Sequence, residues 1–270
     1  MTSASRETPR SLDFSGPRVS QGFRVENFLF LIPLAGMLAA WEIVAQTGVG
    51  LRSLPPPSDV FVVLAFNMLN PLFMGKVFLS FANLMSGLVI AMFLAIPLAV
   101  FTGLKAKVDS ALTPMVMLIG ALPDLALLPL FVYWFGPGGV AAVFMATVAS
   151  FFPLYFTTRE GVQDIPRNYF HVAKIYRSSM ISIYRKLVFP AIVPQIVTGA
   201  RIAFDFVWEI VLAIEIFSQI SGVGSFINLA VESGSISDAF AGIFMIGLIA
   251  ILVDRIVFRS MERRIRRWHE

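Results

Sequence analysis

The sequence contains no cysteine among its 270 residues and only two histidines, His171 and His269. The missing thiols exclude disulfides, thiolate catalysis and cysteine metal sites, and two histidines are too few for a histidine-built metal centre. Charge is also scarce, because 14% of the residues are charged, against roughly 25% in a soluble domain. With 57% hydrophobic residues and a mean hydropathy of +0.79, the chain cannot cover its own surface with polar groups. The sequence therefore predicts a membrane protein.

Signatures of common enzymes are also missing from the sequence. There is no Ser/His/Asp set, no glycine loop placed to cradle phosphate and no cluster of metal-ligating residues. The glycine turn SGVGS, residues 221–225, follows no predicted strand and so lacks the context of a nucleotide site. We therefore predict a protein that is not an enzyme, binds no cofactor or metal of its own and does not hydrolyse ATP.

What the sequence has instead is long apolar runs. Crossing a hydrocarbon core of about 30 Å takes about 20 helical residues, and six segments qualify. They cover residues 27–47, 77–103, 110–134, 139–157, 193–218 and 238–258. A shorter run over 60–69, with Ser58 as its N-cap, is predicted to be a short helix at the membrane interface. The predicted fold class is an all-α polytopic membrane protein with six transmembrane helices.

The polar segments set the domain boundaries and the orientation. Residues 1–26 are predicted to be a flexible cytoplasmic arm, residues 27–258 the six-span domain and residues 259–270 a basic tail. Nearly all of the 21 Lys and Arg fall in the arm, the tail and the loops after the second and fourth spans. This asymmetry predicts that both termini are cytoplasmic. Because the basic residues lie between apolar segments and not on one compact domain, they do not indicate nucleic-acid binding.

The second span carries a small residue at every fourth position. The stripe consists of Gly87, Ala91, Ala95, Ala99 and Gly103. Such a stripe lets another helix approach closely, which is how membrane helices associate without a hydrophobic driving force. The sequence predicts a helix-packing surface, either within the chain or between subunits.

Polar residues inside the spans are candidates for function, because burying them in a membrane is costly. Arg201, Asp205 and Glu209 are four residues apart and stack on one face of the fifth span. They form either a salt-bridge ladder, in which Arg201 neutralises Asp205, or a stripe along a hydrated translocation pathway. Asp124, between two prolines that are expected to distort the third span, is a second pathway candidate. Glu215, near the outer end of the fifth span, is compatible with either role.

The loop after the fourth span, about residues 164–189, is long, basic and amphipathic. A basic amphipathic helix can lie on anionic lipid. It can also dock into a groove on a cytoplasmic partner. The pattern of residues alone leaves both interpretations open.

Several stretches of the chain, taken in order, resemble the permease subunits of binding-protein-dependent ABC importers of the nitrate, sulfonate and taurine branch. They are WEIVAQTG, LPPPSDV, PLAVFTGL, ALPDLALLPLFVYWFGPG, FFPLYFTTREGV, GARIAF, AIEIFSQISGVG and ERRIRRW. Each stretch is weak by itself, but their order and spacing extend the resemblance over roughly residues 35–268.

That family carries a cytoplasmic signature of Glu-Ala-Ala, three residues, Gly, nine residues and Ile-x-Leu-Pro. With its proline aligned on Pro190, Ala173 and Pro190 match, whereas His171 stands for the Glu and Arg177 for the Gly. The resemblance implies that the segment is a coupling helix that inserts into a cleft of the ATP-hydrolysing subunit. The residues expected to carry this role are His171, Val172, Ala173, Lys174, Arg177, Leu187 and Pro190. Arg177 is expected to adopt a positive φ less readily than the family's glycine.

The resemblance also implies the assembly and the mechanism. The chain would pair with a second permease copy, either identical or different, with an ATPase dimer that binds ATP and Mg, and with an extracytoplasmic solute-binding protein. It would move a small solute by alternating access across a bacterial cytoplasmic membrane. The solute would be a sulfonate, taurine or nitrate, or a heterocyclic vitamin precursor. The competing hypotheses are a stand-alone secondary transporter or channel, and a membrane scaffold for another cytoplasmic partner.

Overall fold

The computed structural model describes residues 31–48 and 54–266, and this part of the chain is helical with no strand. The predicted arm over 1–26, the start of the first predicted span and the last four residues lie outside it. The helices are α1 (Leu31–Thr47), α2 (Pro57–Leu69), α3 (Pro71–Leu104), α4 (Ala106–Gly120), α5 (Asp124–Phe135), α6 (Gly139–Gln163), α7 (Arg167–Ile175), α8 (Met180–Ile183), α9 (Phe189–Ser218), α10 (Val223–Glu232), α11 (Ile236–Val253) and α12 (Arg259–Arg266). Two π-helical turns, Tyr184–Val188 and Asp254–Phe258, join α8 to α9 and α11 to α12.

Four continuous helical stretches among the described residues are long and apolar enough to cross a membrane. They are Pro71–Leu104, Gly139–Gln163, Met180–Ser218 and Ile236–Ile265. They correspond to the predicted second, fourth, fifth and sixth spans. The described part of the predicted first span is α1, a shorter apolar helix of 17 residues. The count of six spans therefore stays a prediction.

The predicted third span is not one continuous helix. The chain forms α4 and α5, which meet at an angle of 86° across a three-residue break. Pro123 is the N-cap of α5, where its fixed φ and missing N–H suit a helix start. Pro129, which was also expected to distort the span, lies inside α5. The break at Pro123 makes this segment a broken span or a re-entrant loop.

The short helix expected before the second span is present as α2. Its predicted cap is wrong, because Pro56 is the N-cap and Ser58 lies inside the first turn. Pro57 occupies the first helical position, where its missing N–H leaves no hydrogen bond unmade.

The core forms where α6 packs along both α3 and α9. The small-residue stripe of α3 faces this contact, and Ala91, Ala95 and Ala99 are fully buried. A Cβ atom on Gly87 would overlap the Ala146 side chain, and one on Gly103 would lie 2.7 Å from the Val162 Cβ. The backbones of α3 and α6 therefore approach as closely as glycine allows at both points.

A second apolar cluster lies where α6 turns towards α7. Its buried members are Val100, Val162, Ile165, Val188, Ile192 and Ile196. Phe170 of α7 and Ile183 of α8 pack against it. We call this end of the bundle the α7 end, and the end that carries α10 the α10 end. The cluster fixes the α7–α8 segment to the ends of α3, α6 and α9.

An ion pair also fastens α4 to α6 at the α7 end. Arg159 donates from Nη2 to Asp109 Oδ2 at 2.6 Å and from Nε to Asp109 Oδ1. Thr113 and Gln163 also donate to this carboxylate, at 2.6 and 3.1 Å. Both charged side chains are about 15% exposed, so this bidentate pair is more than a screened surface contact.

Candidate functional site

The basic loop after α6 forms two short helices with a tight turn between them. Pro166 is the N-cap of α7, and α7 ends at Ile175. The side chain of Ser179 caps α8 by accepting a hydrogen bond from the Ser182 N–H at 3.3 Å. From Met180 the chain stays helical to Ser218. The second half of the segment is therefore one continuous helical rod with α9.

The turn after α7 is made by Arg177 with a φ of 48°, in the left-handed region. The Ser178 N–H donates to the Ala173 carbonyl and the Arg177 N–H to the Lys174 carbonyl, both at 3.0 Å. This pair of bonds is a Schellman motif, in which glycine is the usual residue at the position of Arg177. Arg177 is expected to adopt a positive φ less readily than glycine, yet in the structure it has a positive φ, and these two hydrogen bonds hold it there.

The same motif ends α10 with the usual residue. Gly234 has a φ of 78°, and the bonds from Ser235 to Ala230 and from Gly234 to Val231 measure 2.8 and 3.1 Å. The chain therefore offers a matched pair of turns, one with arginine and one with glycine at the left-handed position.

Replacing Arg177 with glycine is expected to stabilise the turn after α7, because the left-handed conformation costs a non-glycine residue about 1 kcal/mol or more. Amide exchange at residues 177 and 178, measured by mass spectrometry, should slow about fivefold. Gly234→Arg, the reverse change in the matched turn, should speed exchange after α10. Faster exchange in Arg177→Gly would show that contacts of the arginine side chain outweigh the backbone strain.

The α7–α8 segment exposes large apolar side chains beside its basic residues. Val172, Ile175, Tyr176 and Ile181 are 50–80% exposed. Among the residues predicted for coupling, His171, Lys174 and Arg177 are exposed and Ala173 is half-buried. Leu187 and Pro190 line a cleft of about 420 Å³, together with Tyr169 of α7. We call the exposed apolar surface the α7–α8 face.

The predicted ladder on α9 is wrong in its pairing. Arg201 Nε lies 2.7 Å from Asp254 Oδ1, and its Nη1 lies 3.0 Å from Glu262 Oε1. Both acids belong to the helix that runs from α11 into α12, which packs against α9 at the α7 end. Arg201 therefore fastens the C-terminal helix to α9, and it makes no ion pair with Asp205 in the described structure.

The two acids of the predicted stripe face outward. Asp205 and Glu209 are exposed, and so are Ile202 and Phe206 on neighbouring positions of α9. Neither acid has a hydrogen bond or a salt bridge within the described residues. Asp124 is half-buried in the first turn of α5, and no bond joins it to this surface. We call the surface around Asp205 and Glu209 the acidic face of α9.

Glu215 is the acid that the sequence left open, and it is the one that is fully buried. Its carboxylate accepts hydrogen bonds from Ser80 of α3 and from the backbone of Gly224 in α10, each at 2.9 Å. The only sequence signal for this contact is the pair of glycines in the turn SGVGS, and the glycines alone do not indicate which side chain they admit.

The fold is similar to that of an ABC transporter of known structure. The chain superposes on the "MetNI methionine ABC transporter", solved in inward-facing conformations, with a TM-score of 0.64 and 16% sequence identity. The match covers 72% of this chain and 96% of that one. At this identity the likeness establishes the architecture alone.

The sequence establishes the family. The profile described as "Binding-protein-dependent transport system inner membrane component" matches residues 87–268, and the chain belongs to this family. A bicarbonate transport system permease protein, CmpB, from Synechococcus elongatus is 30% identical over 93% of this chain and 95% of its own. A putative aliphatic sulfonates transport permease protein, SsuC, from Bacillus subtilis is 27% identical over 88% and 86%. A nitrate import permease protein, NrtB, from Leptolyngbya laminosa is 32% identical over 63% and 61%.

These findings confirm the resemblance and the function predicted with it. The chain is a multi-pass membrane protein and a permease subunit of an ABC importer. Its family works with an ATPase and a solute-binding protein, and nothing points to an enzymatic activity of this chain.

Proposed function

We propose that the α7–α8 face is the coupling element through which this permease receives the energy of ATP hydrolysis. The observation that carries the proposal is the exposure of Ile175, Tyr176 and Ile181 on a segment that Phe170 and Ile183 fix to the bundle. Apolar surface of this kind on an otherwise basic segment is typical of a protein-binding site. Because α8 continues into α9, a partner that moves this face moves α9 as a rigid body.

The acidic face of α9 borders the translocation pathway and the second permease copy. A carboxylate at the centre of a transmembrane helix costs about 2.5–3.5 kcal/mol when it faces lipid. Asp205 and Glu209 lie well inside an apolar helix and are exposed on the single chain. Their cost is avoided when this face lies against water or another subunit, which is the arrangement expected of a paired permease.

We propose the remaining features of the assembly from the charge asymmetry of the sequence and from the family. The protein lies in the inner membrane of a bacterium. Both termini and the α7 end face the cytoplasm. The solute-binding protein docks at the α10 end, around residues 136–139 and 218–238. The ATPase dimer binds ATP and Mg and closes on the α7–α8 faces, and the two permeases alternate between outward and inward access.

Two solute classes fit different observations. The relatives, which are named as sulfonate, bicarbonate and nitrate permeases, favour a small oxyanion as the solute. The acidic face of α9 favours a heterocycle that donates hydrogen bonds, because Arg201 is already held by Asp254 and Glu262. Taurine, which carries both an ammonium and a sulfonate group, is compatible with either.

Single cysteines on α9 are expected to report water in the pathway, and the cysteine-free chain makes each label unique. Asp205→Cys and Glu209→Cys should react with the membrane-impermeant reagent MTSET, and ATP should change their rates. Phe93→Cys is the matched control, because Phe93 is 76% exposed on the apolar surface of α3 and should face lipid. Reaction rates at 205 and 209 as low as at 93, with and without ATP, would contradict the pathway assignment.

The stand-alone hypothesis is tested by uptake into proteoliposomes. The permease pair with its ATPase should take up radiolabelled taurine, nitrate or bicarbonate only with ATP and the binding protein. Equal uptake by the permease without the ATPase would show a secondary transporter or channel.

A further inference from the structure

The carboxylate of Glu215 connects three helices near the α10 end without the help of any cation. Its Oε2 accepts the hydroxyl of Ser80 on α3 and the Gly224 N–H in the first turn of α10, each at 2.9 Å. The Ser80 hydroxyl in turn accepts the Val223 N–H at 2.8 Å. Glu215 makes no salt bridge among the described residues, and its exposure is 0%. We call Glu215, Ser80 and the amides of residues 223 and 224 the Glu215 joint.

Two glycines make the joint possible. A Cβ atom on Gly222 would overlap the Glu215 carboxylate. A Cβ atom on Gly224 would lie 2.7 Å from the Leu212 carbonyl oxygen and 2.8 Å from the Glu215 Cβ. The backbone at the start of α10 therefore lies against the end of α9 more closely than any side chain would allow.

Holding three helices together through a buried carboxylate is energetically unfavourable. Glu215 Oε1 is buried and has no hydrogen-bond partner among the described residues, and a buried polar atom without a partner costs free energy. Apolar residues of similar volume often replace a buried polar group with no loss of stability. We therefore expect the joint to matter for the geometry that its hydrogen bonds impose on the three helices, and not for the stability of the fold.

The joint bridges the only break between the continuous helix Met180–Ser218 and α10. The link over residues 219–222 contains Gln219 in the left-handed region, with a φ of 51°. Such a link can bend and would not by itself carry a movement of α9 into α10. The hydrogen bond that the Gly224 N–H donates to Glu215 carries the movement instead, because it joins α9 to α10 across the link. Leu229 and Val231 of α10 are more than half exposed, so α10 presents its surface to whatever lies outside the bundle.

We infer that Glu215 is a positioning residue that transmits the movement of α9 to α10, and so conveys the state of the ATPase to the surface where the binding protein docks. The inference rests on the proposed coupling role of the α7–α8 face. It adds a second joint at the far end of the same helix, and it assigns this joint to an acid that lines no pathway.

The test uses the full complex with the non-hydrolysed nucleotide AMP-PNP, so that no solute needs to be known. A bimane label on Leu229→Cys reports α10, and one on Thr198→Cys reports the α9 segment near the α7 end, where Thr198 is exposed. Accessible cysteines of the other subunits are replaced beforehand, so that each label is unique. Both labels should change their fluorescence on AMP-PNP binding in the unmodified complex.

The variants separate positioning from stability. Glu215→Ala should abolish the response of the label on α10 and leave the response of the label on α9. Glu215→Gln retains a carbonyl oxygen for Ser80 and Gly224 and should keep both responses. Gly222→Ala should abolish the response of the label on α10, as Glu215→Ala does. The double variant should lose no more of this response than either single variant, since both changes break the same joint. Glu232→Ala, on the exposed end of α10, is the matched control and should change neither response.

The outcomes distinguish this inference from the proposed function. A full response of α10 in Glu215→Ala overturns the inference, even if that variant melts at a lower temperature. Loss of the response in Glu215→Gln overturns it as well, because the acceptor is then present and the joint still fails. Absence of the Thr198→Cys response in the unmodified complex instead overturns the coupling role of the α7–α8 face, and the inference with it.

Discussion

Replacing Ala173 with glutamate is expected to reduce ATP-dependent transport at least about tenfold while the permease still inserts and folds. Ala173 is half-buried on α7, next to the exposed Val172 and Lys174. A longer, charged side chain at this position would be desolvated wherever the α7–α8 face is covered by a partner. A single unfavourable contact at the centre of an interface costs about 2 kcal/mol or more, which is about a 30-fold loss of affinity.

The measurement is co-elution of the ATPase with the permease from a size-exclusion column, together with ATP-dependent uptake. Both should fall at least about tenfold in Ala173→Glu. Ser233→Glu adds the same charge at an exposed position of the α10 end and should leave ATPase binding unchanged. Uptake at the full rate in Ala173→Glu would show that α7 does not dock as proposed.

Replacing Gly87 of the small-residue stripe with valine is expected to destabilise the fold strongly. A Cβ atom at Gly87 would overlap Ala146, and it would also lie 2.9 Å from the Ala146 carbonyl carbon and the Thr147 nitrogen. These are backbone atoms, so no side chain can rotate away, and α3 must separate from α6. Overpacking of this kind costs about 3 kcal/mol or more.

The measurement is the melting temperature of the purified protein, followed by size-exclusion chromatography. Gly75→Val is the matched control on the same helix, because a Cβ atom there would meet nothing within 4 Å. The control should change the stability by less than about 1 kcal/mol, and in the stabilising direction, because valine has a higher helix propensity than glycine. Equal melting temperatures for the two variants would mean that the stripe does not pack on α6.

The helices were the most predictable part of the fold, since apolar length is a local property of the sequence. Four predicted spans recur as continuous helices, and the segment with Pro123 recurs as a broken pair. The pairing within the bundle was not predictable in the same way. Arg201 has acids four and eight residues away on its own helix, yet it bonds to Asp254 and Glu262, which only the packing of the C-terminal helix brings near.

The candidate site shows the same division. The amphipathic pattern over residues 164–189 was enough to single out the α7–α8 segment. The conformation of Arg177 was not evident from residue type, because the two Schellman hydrogen bonds set its φ. The Glu215 joint depends on the close approach of Gly222 and Gly224, and a glycine pair by itself does not say which side chain it admits.

The central claim is that this permease receives energy through the α7–α8 face, and a photo-cross-linking residue in place of Ile175 tests it most directly. Ile175 is 79% exposed on that face. The same residue in place of Tyr133, which is 84% exposed on α5, is the control for cross-linking to other surroundings. Mass spectrometry of the irradiated complex should identify the ATPase subunit as the partner of position 175 and not of position 133. Cross-links from position 175 to lipid alone would show a helix that lies on the membrane, and would contradict the account.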